Sequence, residues 1–404
     1  MDGRPHRVLI IVENLPVPFD RRVWMEATTL RANGYEVSVI CPIGGGFQAE
    51  YEVIDGVHVY RHPLPPEVSS VGGYLREYGA ALYHEAKLVR RVHRERGIDI
   101  IHLCNPPDLL FLIATPLKLL RGVRVVFDQH DLNPEMYIAK YDRRDIFYVG
   151  LRIAERLTYA LADRVITTNE SYREVATSRG GQRPEHVTVV RSGPDLARFH
   201  SVRPDSRYRR GRRFLVGYVG VMGEQDGIEY LLRAIAHIVH DRQRADIQFM
   251  LVGGGPAVQG LRTMCRDMGL DDFVEFAGRV PDVELIERLS TTDVCVDPGP
   301  KTPVNDKSTM NKTLEYMALG RPIVQFDLTE ARRSAGGASL YARPNDTRDF
   351  GDKILELLQD PERCQRMGRV GQERMRSALS WEYQAPKLLR VYESLTADGL
   401  SART

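Results

Sequence analysis

Short runs of apolar, β-branched residues alternate along this chain with longer segments whose apolar positions recur every three or four residues. RVLIIVE (Arg7–Glu13) is the first run and predicts a strand buried on both faces. Asp20 predicts a cap for a helix over Arg21–Asn33, Gly34 stops it, and YEVSVIC (Tyr35–Cys41) predicts the strand that completes a βαβ unit. The alternation continues with a helix over Leu75–Arg96, a strand at Ile98–Leu103 and a helix over Leu109–Leu120 that contains Pro116. A strand at Val123–Asp128, a helix over Ile146–Ala162 and strands at Arg164–Thr168 and Val187–Val190 follow.

The rhythm then breaks. SVRPDSRYRRGRR (Ser201–Arg213) has no apolar period and predicts a linker; an exposed loop inside one domain is the other reading. The pattern restarts with strands at Phe214–Gly220, Ile247–Val252, Val274–Gly278, Val294–Asp297 and Pro322–Phe326. The helices expected among and after them are Ile228–His240, one ending near Met268, Asp282–Ser290, Met310–Leu319, Asp349–Gln359, Glu362–Ala378 and Trp381–Leu395. The chain therefore reads as two α/β domains with parallel sheets, 1–200 and 214–380, joined by 201–213 and followed by a last helix at about 381–395. Two such domains facing one another would form an interdomain cleft, with ligands at the carboxyl ends of the strands.

Composition narrows the function. With 56 Lys+Arg against 54 Asp+Glu the formal net charge is +2, which argues against a protein that coats nucleic acid. The five cysteines form no C-x-x-C pair and their odd number suits no disulfide framework, so a reducing cytoplasm is expected. The polar start Met1–His6 suggests no leader peptide, and no apolar run reaches the roughly 18 residues needed to span a bilayer.

Candidate chemistry concentrates in the second domain. GYVGVMGEQDG (Gly217–Gly227) ends a strand and opens a helix, where glycines let a phosphate approach the backbone; a tight turn without ligand is the alternative. Gly220, Gly223 and Gly227 do not make the dinucleotide spacing. In KSTMNKTLEYMALGRPIV (Lys307–Val324), Ser308 or Thr309 is expected to cap a helix, which places Lys312 in its first turn against the dipole. An anionic ligand would account for that cation. Glu315, one turn on, could accept hydrogen bonds from vicinal hydroxyls such as those of a ribose; a surface Lys–Glu pair is the plain alternative. In the first domain, Arg21 and Arg22 could meet a phosphate or simply pair with Asp20. QHDLNPE (Gln129–Glu135) puts His130, Asp131 and Glu135 beyond a strand end, where Asp131 or Glu135 could take a hydroxyl proton; Glu13 closes the first strand similarly.

NKTLEYMALGRPIV (Asn311–Val324) resembles the donor-site motif of the family 4 glycosyltransferases, retaining enzymes of the GT-B fold. YVGVMG (Tyr218–Gly223), LVGGGP (Leu251–Pro256), VEFAGRVP (Val274–Pro281) and the opening VENLPVPFDRRVWME (Val12–Glu26) resemble it too, the last especially the enzymes of surface-polysaccharide assembly. The resemblance implies that Glu315 holds the donor ribose and that Gly220 and Gly223 lie against the diphosphate or sugar. It implies that Ser308, Thr309, Met310 and Asn311 at the helix start, with Lys312, stabilise the diphosphate. Gly278, Arg279 and Val280 would border the base, His130 would contact the sugar or acceptor, and the helix from Trp381 would cross back to the first domain.

Lys307 stands near the place of the first glutamate common in the family, and Val221 and Asp226 stand where many relatives have Arg and Lys. Lys307, Lys312 or Arg279 would then supply the positive charge. The expected function is transfer of a hexosyl-type sugar from a nucleotide diphosphate, UDP first and GDP second, to a hydroxyl of a glycan or lipid-linked glycan. No D-x-D motif calls for a metal, and no other cofactor is expected. The alternatives are a nucleotide-sugar epimerase or hydrolase, or a non-catalytic sugar-nucleotide-binding subunit. The basic helix over Leu75–Arg96, with Leu82, Leu88, Val89 and Val92 among Arg76, Lys87, Arg90, Arg91, Arg94 and Arg96, suggests peripheral contact with the inner membrane face, or else ordinary packing on the sheet.

Overall fold

A computed structural model describes residues 4–63 and 71–401, with the side chains of 71–78 and 397–401 outside the described set. Met1–Gly3 of the polar start, and the side chains of Leu75 and Arg76, therefore lie outside the described residues. The chain divides into two units, 1–191 with 385–404, and 192–384.

The first unit is built on strands β1 (Arg7–Ile11), β2 (Glu36–Pro42), β3 (Tyr51–Ile54), β4 (Val57–His62), β5 (Ile100–Cys104), β6 (Arg124–Gln129), β7 (Arg164–Thr167) and β8 (Val187–Val189). They lie in the order β3-β4-β2-β1-β5-β6-β7-β8. All neighbours are parallel except β3 against β4, a hairpin turned at Asp55 and Gly56, both at positive φ. The apolar runs are central for a physical reason: Val8–Ile11 and Val125–Phe127 are covered by helices on both faces and have no wet side. Asp20 caps the helix Arg21–Ala32 through the Val23 amide at 3.1 Å. The helix Val71–Glu95 turns Val89 and Val92 into the core, with Leu82 and Leu88 packed against it. Over its described side chains the apolar stripe packs on the sheet, the second of the two expectations for this helix. Arg91 on its outer side pairs with Glu95 and covers Tyr51 and Tyr60.

The second unit has strands β9 (Phe214–Val219), β10 (Ile247–Val252), β11 (Val274–Gly278), β12 (Val294–Asp297), β13 (Ile323–Phe326) and β14 (Ser339–Ala342), all parallel, in the order β11-β10-β9-β12-β13-β14. Residues 201–213 are not a linker but part of this unit. Arg209 forms two bonds to Asp293, the Val202 amide donates to Ser290 Oγ, and the Asp205 amide donates to Thr291 Oγ1. The polar side chains that remove periodicity from this segment are the ones that fasten it.

The last helix, Trp381–Ser401, begins in the second unit, and from Ala385 on it belongs to the first. There Tyr392 is buried and bonded to His102 on β5, 2.6 Å from Oη to Nδ1. Among the described residues no helix is long and apolar enough to cross a membrane.

Candidate active site

In the second unit the loops after β9 and β10 close on each other through glycines. Gly253 has φ +129° and a Cβ there would sit 1.9 Å from the Gly220 carbonyl oxygen. A Cβ on Gly255 would meet the Met222 carbonyl at 2.6 Å, and the Met222 amide donates to Gly254 O at 3.1 Å. These glycines serve loop-on-loop packing. Gly220, at φ +151°, has a second reason: its missing side chain leaves room for Lys312, whose Cε would lie 2.9 Å from a Cβ. Gly223 donates its amide to Asp226 Oδ2 at 3.0 Å.

Lys312 comes from the helix Asn311–Ala318. The expected cap is corrected: Met310 occupies the cap position, and its side chain makes no cap hydrogen bond. Turns over Thr302–Ser308 turn Ser308 away, so that its hydroxyl donates to the Val304 carbonyl at 2.9 Å, while Thr309 Oγ1 lies 3.5 Å from Glu330 Oε2.

Lys312 is buried, its Nζ 3.5 Å from Asp297 Oδ1, 3.7 Å from Asp226 Oδ1 and 5.0 Å above the Tyr218 ring. Burial works against the ammonium, but Asp297, Tyr218 and Asp226 outweigh it and hold the group charged above its ordinary range. The two carboxylates account for a cation in the first turn without any ligand, which corrects the reasoning from the helix dipole alone. Burial pushes the Asp226 carboxyl up, with Lys312 pulling the other way. Asn305, buried, ties the arrangement together by donating to the carbonyls of Gln225 and Pro300, each at 3.0 Å.

Glu315 is half-buried one turn beyond Lys312, and Lys307 is half-buried before the helix. Gly278, at φ +74°, accepts the Gly253 amide at 2.8 Å and has open space on its Cα. Arg279 is exposed beside Gly254, and Val280 packs on the apolar core. Gly220, Gly253, Gly278 and Lys312 thus meet at the carboxyl ends of β9, β10 and β11. Asp297 and Tyr218 were not among the sequence candidates; Asp297 ends β12, a placement that could have signalled it.

In the first unit, His130 follows β6. Its amide donates to Asn105 Oδ1 at 2.7 Å, and its Nε2 lies 2.6 Å from Asp128 Oδ2. The same Nε2 also lies 3.1 Å from Arg22 Nε, which donates towards it. The Asp131 amide and carbonyl are both bonded to Asn105, and burial pushes its carboxyl up. Arg21 is exposed, and Glu13 is buried just after β1, where it adds to the burial that pushes the Glu85 carboxyl well above its usual range.

Two candidates are corrected. Arg22 is buried, forms a two-pronged pair with Asp128 at 2.7 and 3.0 Å, donates to the Val190 carbonyl and contacts Glu26 at 3.1 Å; it organises the core beneath His130 instead of facing a phosphate. Glu135 is buried and held by both Arg179 nitrogens at 2.5 and 3.0 Å, so it is no proton acceptor for a substrate. His102, Cys104 and Asp128 bring ligand-type atoms within 4.8 Å of one another. Arg22 already neutralises Asp128, Tyr392 engages His102, and burial keeps the Cys104 thiol protonated, so the trio does not suit a cation.

Two successive parallel α/β units, with glycine loops and a cation at the strand ends of the second, define a GT-B glycosyltransferase scaffold. Residues 20–193 match the model of the glycosyl transferase 4-like domain and residues 213–360 that of glycosyl transferases group 1. The chain belongs to the family 4 glycosyltransferases. It is similar to the D-inositol 3-phosphate glycosyltransferase of Corynebacterium kroppenstedtii, 27% identical over 274 residues, a match covering 62% of this chain and 58% of that protein. Among solved structures it resembles the sucrose-phosphate synthase of Thermosynechococcus elongatus, with TM-score 0.81, 20% identity and coverage of 97% of this chain and 100% of the other. It also resembles Anabaena HepE, solved in complex with UDP-glucose, with TM-score 0.73, 17% identity and coverage of 97% and 99%.

Proposed function

We propose that the chain transfers a hexosyl-type sugar, with retention and without a bound metal, from a nucleotide diphosphate to a hydroxyl of a glycan or lipid-linked glycan. The observation that carries this reading is the placement of Lys312 against side-chain-free Gly220, in the first turn of its helix and one turn before Glu315. Asp297 and Asp226 balance the ammonium, so the positive potential where a diphosphate gains charge on leaving comes from the helix start, with Lys312 Nζ as the neighbouring donor. Glu315 accepts from the ribose hydroxyls, and Gly278, Arg279 and Val280 border the base. UDP is favoured because the similar HepE was solved with UDP-glucose, and GDP is second. In the first unit His130, oriented by Asp128 and Asn105, contacts the sugar or the acceptor hydroxyl, with Asp131 beside it. Catalysis is then positioning and charge stabilisation, with the departing diphosphate able to take the acceptor proton.

The test is a thermal-shift panel with UDP, GDP, ADP, dTDP and NAD on wild type and Glu315→Ala. A shift with one nucleoside diphosphate that Glu315→Ala loses is the expected result. An equal shift in the variant removes Glu315 from the site, and a shift with NAD alone overturns the reading.

A further inference from the structure

A helix lying on a sheet ordinarily buries its apolar stripe and wets its polar one. The helix Ile146–Leu161 does the opposite. Its buried residues include Glu155, Thr158 and Tyr159: Glu155 is bonded to Arg179 at 2.5 Å, Thr158 Oγ1 donates to the Asp108 carbonyl at 2.9 Å, and the Tyr159 ring packs in the core against Phe127. Its outer face carries Ile146, Val149, Ile153 and Leu157, which are 79%, 50%, 55% and 45% exposed and fall on one stripe at helical spacing. The helix Phe111–Arg121 is fastened beside it by Lys118 Nζ, which donates to the Leu161 carbonyl at 2.5 Å. It adds Leu119 and Leu120, 76% and 78% exposed. An apolar surface of this extent marks a face that something covers.

Charge decides what covers it. Arg121, Lys140, Arg143, Arg144 and Arg156 are exposed on and around the same helices. Of the nearby acids, Glu135 and Glu155 are buried against Arg179, and Asp145 caps the helix at Phe147 and Tyr148, which leaves Asp142 as the exposed acid over 133–161. A second copy would set these arginines against their like. An anionic bilayer takes both features, the apolar stripe at the acyl boundary and the cations among the headgroups.

We infer that this face of the first unit, with Ile146, Ile153, Leu157, Leu119 and Leu120 at its centre, docks on an anionic lipid surface. The docking is through these helices and not through Val71–Glu95. It is independent of the proposed reaction, because binding is read without donor or acceptor.

The experiment is sedimentation of the full chain with vesicles of phosphatidylglycerol and phosphatidylcholine, and with phosphatidylcholine alone. Wild type is expected to pellet with the anionic vesicles and stay largely in solution with the neutral ones. Ile153→Glu with Leu157→Glu, and separately Arg143→Gln with Arg144→Gln and Arg156→Gln, are expected to lower the partition constant, the arginine set by about a hundredfold. All five side chains are solvent-facing, so melting temperatures should hold, and the arginine set carries the test if the glutamate pair unfolds the chain. Arg90→Gln with Arg91→Gln and Arg94→Gln should bind as wild type does. The inference is overturned if wild type ignores anionic vesicles, if the patch variants bind normally, or if only the Arg90 set loses binding. It is equally overturned if lipid-free sedimentation velocity shows a dimer that Ile153→Glu with Leu157→Glu dissociates, which would assign the face to a second copy.

Discussion

Replacing Lys312 by methionine keeps most of the stem and removes the charge that lies 3.5 Å from Asp297 and 3.7 Å from Asp226. At an effective dielectric near 20, each contact carries about 4–5 kcal/mol of gross attraction, most of it offset by the cost of bringing the ions out of water. What the variant leaves behind is the larger effect. Asp297 is 5% exposed and loses its counter-ion, a situation that costs about 3–5 kcal/mol. For a unit of this size that is a fall in Tm of about 10 °C. Lys312→Met with Asp297→Asn should recover more than half of the loss, since Asp226 reaches water. Neither variant should respond to the nucleoside diphosphate that stabilises wild type. The pH dependence follows from the sign of the shift: the folded-state value lies above the ordinary 10.5, so the contribution is fully present below that value and is lost only as pH rises through the higher one. The gap between wild type and Lys312→Met should therefore stay constant between about pH 6 and pH 9. Thermal melts in that range, with and without nucleotide, make the measurement. A Lys312→Met protein that melts with wild type would refute the buried ion triad. A double variant no better than the single one would show that Asp297 is not the group left stranded.

Other expectations follow from the same geometry. Burial pushes the Asp108 carboxyl up to about 7 despite its bonds from Asn133 and Asn105, so its contribution is present below about pH 4 and lost as pH rises through 7. Urea unfolding should show stability falling less steeply over that interval in Asp108→Asn than in wild type. Gly253→Ala forces a Cβ to within 1.9 Å of Gly220 O at positive φ, and should destabilise the protein by more than about 2 kcal/mol in urea titration. Tyr392→Phe removes the hydroxyl from buried His102 and should cost about 1–3 kcal/mol; an unchanged unfolding midpoint would make that bond energetically idle.

The sheets were legible because their central strands are apolar runs, and burial on both faces leaves no other pattern. The β3–β4 hairpin escaped, although Asp55-Gly56 between alternating residues is a strong turn signal, because its outer strand is half-exposed and offers no apolar run. The strand β14 and the Asn169-capped helix Glu170–Ser178 escaped for want of length and apolar period. At the site, the sequence singles out Lys312 and Glu315 but is silent on Asp297 and Asp226 as partners, since charge balance is set by contacts between distant segments. Arg22 and Glu135 misled in the same manner: a charged residue near a strand end reads as functional until Asp128 and Arg179 are seen to hold it. The helix Ile146–Leu161 was legible as a helix, but its period does not say which stripe faces water.

The bond between His102 and Tyr392 joins residues 290 positions apart, and it has a consequence for biosynthesis. A ribosome adding about 5–20 residues per second needs about 15–60 s to pass from one to the other. Through that interval the β5 strand is out of the exit tunnel while its partner on the last helix has not been made. The second unit, whose stretch of chain is continuous, can fold while the first still waits for its closing piece. A released chain truncated before Ala385 would therefore present a finished second unit and an unfinished first one, with the His102 side of its sheet open to chaperones and proteases.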